Sequence, residues 1–112
     1  MPHAELKYSA DLKFDADAVF DAIEKTIGAH DAGAGECKCR AYPSEQTNYT
    51  HLMVSVVMLR KPHRDAAFLD GLLRDLEAAI KAQLTQSCRF SLGIEFSGDA
   101  YVTGVFETPQ QK

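Results

Sequence analysis

The chain contains no run approaching the roughly 18 consecutive apolar residues that a membrane-spanning helix requires. Its opening, MPHAELKYSA, also lacks the basic start and apolar core of a secretory signal. Both absences point to a cytoplasmic protein with no membrane partner. A basic excess is missing too: the formal net charge is -4 and the pI about 5.5, which argues against a broad nucleic-acid surface. An anionic ligand would have to be held by a local pocket. Cysteine is scarce and odd in number, with only Cys37, Cys39 and Cys88. A complete disulfide framework is therefore not expected, and the thiols read as reduced, small packing residues. Cys37 and Cys39 fall on one strand face, but no second cysteine or histidine pair follows at zinc spacing, so no metal site is expected.

What is present is an ordinary globular balance. The 112 residues are 46% hydrophobic and 25% charged, which fits one domain spanning 1–112. HAELKYS alternates as a first strand, with Ala4, Leu6 and Tyr8 on one side and His3, Glu5 and Lys7 on the other. FDADAVFDAIEKTIGAHD then places Val19, Phe20, Ile23 and Ile27 at helical spacing behind a candidate N-cap, Asp15. The glycines of Gly33–Gly35 end that region, and ECKCRAY reads as a second strand. After the turn chemistry of PSEQTN, YTHLMVSVVMLR is the strongest strand, and both of its faces carry apolar residues.

The clearest helix is predicted from about Asp65 to Gln86, where Leu69, Leu72, Leu73, Leu76, Ile80 and Leu84 recur at three- and four-residue steps. RFSLGIEFS alternates as a last strand, with Phe90, Leu92, Ile94 and Phe96 inward, and a short YVTGVFE segment follows before a loose tail. The order β-α-β, β-α-β predicts an α+β fold: duplicated units forming a four-stranded mixed sheet with two helices on one face. The other face, carrying His51, Met53, Ser55, Val57 and Leu59, is half apolar, and so small a chain has nothing left to cover it. Homo-oligomerisation is the simplest solution. A monomeric ferredoxin-like domain with a tolerated open face is the alternative.

Position two raises a chemical question. Methionine aminopeptidase removes Met1 readily ahead of a residue as small as proline, leaving Pro2 as a secondary amine. An amide nitrogen has no usable basicity, whereas an amine can act as a general base or a nucleophile. The plain reading is that a small second residue serves processing alone.

The opening MPH, YSADLK after the first strand, CKCR on the second, HLMVSVVMLRKPHR leading into the long helix, and SCRFSLGIEFS near the end together resemble the 5-carboxymethyl-2-hydroxymuconate isomerase family. That family belongs to the tautomerase superfamily, with 4-oxalocrotonate tautomerase and macrophage migration inhibitory factor. The resemblance implies a homotrimer with active sites at subunit contacts, no metal and no organic cofactor. It implies a small-molecule carboxylate substrate, a 2-hydroxymuconate-like dienol acid whose enol is converted to a conjugated ketone. The processed proline is the base, here Pro2, and the arginine that begins the second helix falls on Arg64. The family's second-strand Arg-x-Arg becomes KCR, so its positions fall on Lys38 and Arg40, and lysine lacks the bidentate fork that arginine offers a carboxylate. His3 follows the base and is placed to orient it; Tyr8, Tyr42 and Phe106 are candidates for an apolar pocket wall. The connection YPSEQTNY and the segment VTGVFETPQQK depart from the family pattern, so reaction type is more firmly implied than substrate.

Each assignment has a plainer counterpart. Arg64 sits where helix capping and an ion pair to a nearby Asp are common, and Lys38 and Arg40 suit ordinary edge-strand charges. Two further functions fit the same residues. One is a hydratase or dehalogenase in which protonated Pro2 is the acid and Glu5 activates water. The other is a non-enzymatic trimeric interaction module.

Overall fold

A computed structural model describes residues 2–109. The elements run β1 (His3–Ser9), α1 (Ala16–His30), a 3-10 turn (Ala32–Ala34), β2 (Lys38–Ser44), β3 (His51–Met58), α2 (Ala66–Lys81) and β4 (Arg89–Phe96). The four strands form one sheet in the order β2-β1-β3-β4. Each β-α-β unit contributes a parallel pair, β1 with β2 and β3 with β4, and the two units meet antiparallel along β1 and β3. The expected mixed sheet and duplicated order are thus present. The duplication extends to hydrogen bonds: the Lys38 N–H donates to the Pro2 carbonyl at 3.1 Å, and the Arg89 N–H donates to the Thr50 carbonyl at 2.9 Å.

Both helices begin on aspartate caps, because a carboxylate satisfies amide donors that the first turn leaves open. Asp15 accepts from the Ala18 N–H at 3.2 Å and Asp65 from the Phe68 N–H at 2.9 Å. The buried stripes of α1 (Val19, Ile23, Ile27) and α2 (Leu72, Leu76, Ile80) meet Ala4, Leu6, Leu52, Val54, Val56 and Met58 of the two central strands in one core. Leu72 has no exposed surface. Truncating it to alanine is expected to cost about 2–5 kcal/mol, the usual loss for a buried leucine, read from the midpoint of a urea unfolding curve.

Two element boundaries differ from the sequence reading. The helix predicted to reach Gln86 ends at Lys81, because the Gln83 and Leu84 N–H groups bond three residues back, to Ile80 and Lys81, and tighten the last turn. Leu84 still packs on the core from beyond the helix. The second strand starts at Lys38 and runs to Ser44, two residues later at each end than the ECKCRAY reading. Its start lies later because the Cys37 N–H donates to the Glu24 carboxylate at 2.9 Å instead of joining the ladder. Pro43 is tolerated within this strand because β2 is an edge.

Register fixes the uncovered face. Across it, Lys38, His3, Val57 and Glu95 form one row, followed by Arg40, Glu5, Ser55 and Gly93, then Tyr42, Lys7, Met53 and Ser91. Met53 is 41% exposed and Tyr42 44% exposed. The segment 97–109 has no regular secondary structure, and among the described residues no helix is long and apolar enough to cross a membrane.

Candidate active site

The start of β1 brings several of the predicted residues together. Pro2 is fully buried, on the side of the sheet shared with Ala4 and Leu6. Its carbonyl is held by the Lys38 amide, so β1 and β2 are locked side by side one residue before the ladder begins. The parallel register then sets His3 opposite Lys38 and Glu5 opposite Arg40 on the uncovered face. A hollow of about 230 Å³ lies there, lined by His3, Glu5, Arg40, Ser55 and Val57. Its lining combines an arginine, a carboxylate, a histidine and a serine with one apolar wall, Val57.

Charge in the hollow is partly paired. Arg40 Nη1 lies 3.4 Å from Glu5 Oε2, and the Tyr42 hydroxyl donates to the same oxygen at 3.5 Å. The contact is long and its partners are half exposed, so it holds Arg40 weakly and leaves it able to exchange partners. His3 is oriented by the Tyr101 hydroxyl, 2.8 Å from its Nε2, with the two rings edge to face. Partial burial, then the positive charges of Arg40 and Lys38, hold the His3 imidazole below its ordinary pKa. A neutral ring at this corner adds no further cation and can accept or donate a proton in a hydrogen bond.

Arg64 occupies a different environment. It is 4% exposed; its Nε and Nη2 donate to Asp31 Oδ2 at 3.0 and 2.7 Å, and its Nη1 donates to the Leu59 carbonyl at 2.7 Å. The guanidinium therefore ties the end of α1 to the segment leaving β3, and every side-chain nitrogen is engaged. His63 adds a third contact to the same carboxylate oxygen at 2.9 Å. A neighbouring hollow of about 480 Å³ is lined by Arg60, Lys61, Pro62 and Arg64, but Arg60 lies over the Phe96 ring, 4.5 Å from its centroid.

This cluster sets a pH dependence. The His63 and Arg64 hydrogen bonds hold the Asp31 carboxyl down at about 2, below its ordinary 3.8. A folded pKa below the unfolded one stabilises the native state above pH 3.8, and that contribution disappears as pH falls towards 2. At about 1.4 kcal/mol per pH unit it amounts to about 2 kcal/mol. Urea midpoints measured from pH 5 to pH 2 are expected to fall more steeply for the wild type than for Asp31→Asn, which has no proton to gain there.

Tyr8 and Phe106 do not join the Pro2 corner. Tyr8 lies six residues along β1, about 20 Å away at strand spacing. It stacks edge to face on Phe14, at 4.8 Å between centroids, beside a hollow of about 430 Å³ at the opposite end of the sheet. Phe106 is 84% exposed in the irregular segment and forms no wall within its own chain. Three pairings were outside the sequence reading of the site, Glu5 with Arg40, Asp31 in particular with Arg64, and Tyr101 with His3, although Glu5 itself was read as the water-activating carboxylate of the alternative function. Strand alternation carried a signal for Glu5, which shares its face with His3. Nothing local marked Asp31 or Tyr101, which lie 33 and 98 residues from their partners. Among the described residues no group of three or more His, Cys, Asp or Glu is placed to hold a metal ion.

The architecture is that of the tautomerase and macrophage migration inhibitory factor fold. Among solved structures it is similar to a 5-carboxymethyl-2-hydroxymuconate delta-isomerase, with 19% identity, a TM-score of 0.76, and 99% of this chain and 96% of the other covered. A 5-carboxymethyl-2-hydroxymuconate isomerase from Deinococcus radiodurans R1 follows, with 16% identity, a TM-score of 0.65, and coverage of 97% and 90%. A fused 4-OT symmetric trimer matches with 11% identity, a TM-score of 0.63, and coverage of 89% and 91%. No protein-family profile and no curated protein sequence matches the chain. The resemblance read from the sequence is thus met in the fold.

Proposed function

We propose that this protein is a cofactor-independent keto-enol tautomerase acting on a 2-hydroxymuconate-like dienol acid, with Pro2 as the general base once Met1 is removed. The observation that supports the reading is the bond from the Lys38 amide to the Pro2 carbonyl, which ties the proline backbone to the start of β2, the strand that carries Lys38 and Arg40. The fold shared with structures reported as isomerases supports it.

In this reading the Pro2 amine takes the proton of the 2-hydroxyl and returns it to carbon, leaving a conjugated ketone. Burial and neighbouring cations lower an amine's pKa towards neutrality, where transfer in both directions is efficient. Arg40 and Lys38 bind carboxylate and stabilise the negative charge that develops on the dienolate oxygen, an effect that grows as water is excluded. Arg64 acts at a distance, by fixing the backbone that leaves β3, and Arg40 takes the larger share of substrate binding. The uncovered sheet face, with Val57, Met53 and Tyr42, is closed by two further copies in a homotrimer, a reading supported by the similarity to a structure reported as a 4-OT symmetric trimer.

The test is ultraviolet-monitored ketonisation of 2-hydroxymuconate by Met1-free protein. Turnover well above the buffer rate is expected, and none with folded, trimeric protein would sink the reading. Arg40→Ala is expected to lower kcat/KM for this dicarboxylate about 10- to 100-fold, the value of a charged hydrogen bond at about 1.5–3 kcal/mol. Most of that loss should appear in KM, and an unchanged KM would remove Arg40 from the site.

A further inference from the structure

Cys37 and Cys39 flank Lys38 at the entrance to β2. Their Sγ atoms are 3.8 Å apart, and Cys39 Sγ is 3.7 Å from the Cys37 carbonyl oxygen. Residues two apart on a strand share a face, so both sulfurs lie on the covered side while Lys38 between them belongs to the face with the hollow. The pair is asymmetric in access: Cys37 is buried and Cys39 half-buried. Cys37 also stands outside the ladder, its N–H held by Glu24, two residues after Gly35, whose φ of 80° is open to glycine but costly for other residues. The backbone just ahead of β2 is therefore held by a side chain of α1 instead of by the sheet, and it carries one of the sulfurs.

We propose that Cys37 and Cys39 are a redox modification site, closing reversibly to an intramolecular disulfide when a hydroperoxide is present. The Cys39 thiolate attacks one peroxide oxygen; the O–O bond breaks, hydroxide leaves and is protonated to water, and Cys39 becomes a sulfenic acid. The Cys37 sulfur then attacks that sulfenic sulfur. An S–S bond forms, the S–O bond breaks, and the departing hydroxide takes the Cys37 thiol proton as a second water. Two thiols and one hydrogen peroxide thus give one disulfide and two waters.

The division of labour follows from the surroundings. The thiol–thiol contact with Cys37, helped by the charge of Arg40, holds the Cys39 thiol below its ordinary pKa. The same contact, together with burial, pushes the Cys37 thiol up. The more exposed sulfur is the better thiolate, as the attacking member of such a pair must be. Closing requires the sulfurs to reach about 2 Å with Cα atoms no more than about 6.8 Å apart, near the limit of a two-residue extended span. The bond that results is strained, and strained disulfides are the ones readily reduced again. Closure draws in the backbone at Lys38, whose N–H holds the Pro2 carbonyl. Oxidation at one face of β2 would thereby loosen the corner on which the proposed tautomerase activity rests.

The third thiol is an internal control. Cys88 precedes β4, at the far edge of the sheet and the opposite end from the start of β2. Reduced protein is treated with one equivalent of hydrogen peroxide, alkylated, and mapped by peptide mass. The thiol count is expected to fall from three to one, with Cys88 the survivor, and the peptide spanning 37–39 to lose two hydrogens. A reductant should restore all three thiols. Cys39→Ser should abolish the loss, Cys37→Ser should stop at a sulfenic acid on Cys39 with no disulfide, and Cys88→Ser should still lose both remaining thiols. If Cys37 and Cys39 both remain alkylatable while peroxide is consumed elsewhere, the proposal is overturned. Ketonisation of 2-hydroxymuconate should fall several-fold on oxidation and recover on reduction. The thiol count decides the disulfide even for a protein with no such turnover, so the two proposals fail separately.

Discussion

Protein that keeps Met1 is expected to ketonise 2-hydroxymuconate about 10²- to 10⁴-fold more slowly than protein from which it has been removed, the range for loss of a positioned general base. The reason is electronic. With Met1 attached, the Pro2 nitrogen belongs to a peptide bond and its lone pair is delocalised into the carbonyl. Removing the methionine converts that nitrogen to a secondary amine without changing any other atom of the site. Pro2→Ala is expected to be milder, at the lower end of the same range, because processing then leaves a primary amine at the corner. The comparison is made on intact-mass-verified samples by ultraviolet absorbance, with trimerisation checked alongside. Equal rates with and without Met1 would exclude the proline nitrogen as the base and move attention to Glu5, the nearest carboxylate on the hollow.

Arg64→Ala is expected to destabilise the fold by about 3–5 kcal/mol, the cost of breaking a buried pair and stranding its partner. Against a total of about 5–15 kcal/mol for a domain, that is a large fraction. Asp31 would lose its two bonds from Arg64, and the Leu59 carbonyl would lose its donor. Lysine cannot replace these three bonds, since a single ammonium cannot reach both Asp31 and Leu59 with the planar fork of a guanidinium. Arg64→Lys should therefore lie between wild type and alanine. Urea unfolding reads the effect directly, and kinetics below the unfolding range read any substrate role. An unchanged urea midpoint with a raised KM would return Arg64 to the substrate.

Strand and helix identities were legible because burial imposes period. The first strand, His3–Ser9, and the Asp15 cap agree with the alternation and capping chemistry of the sequence, and the second helix begins beside Asp65 as its period indicates. The two misplaced boundaries share a cause: bonds that are invisible to a local pattern. Glu24 takes the Cys37 N–H from 13 residues away, and the three-residue bonds after Ile80 end a stripe that Leu84 continues. The residues of the candidate site divide in the same way. His3, Lys38 and Arg40 share a face by alternation and register, so they were recoverable. The pairing of Arg64 with Asp31 depends on how α1 and the end of β3 meet in space, which no spacing within either segment encodes. Tyr8 and Phe106 were chosen as aromatics, a property that says nothing of which end of a sheet they occupy.

The repeated hydrogen bond at the two strand starts separates the two halves chemically. Pro2 and Thr50 occupy matching corners, each with its carbonyl held by the first residue of the neighbouring parallel strand, and each followed by a histidine. Cleavage of one peptide bond ahead of Pro2 yields a titratable nitrogen. The nitrogen of Thr50 is joined to Tyr49 and remains an amide for the life of the chain. Two symmetry-related niches thus differ by one covalent bond: a trimer would present six such corners, of which proline chemistry is open to the three that begin a first unit, while the other three are free to serve as scaffold.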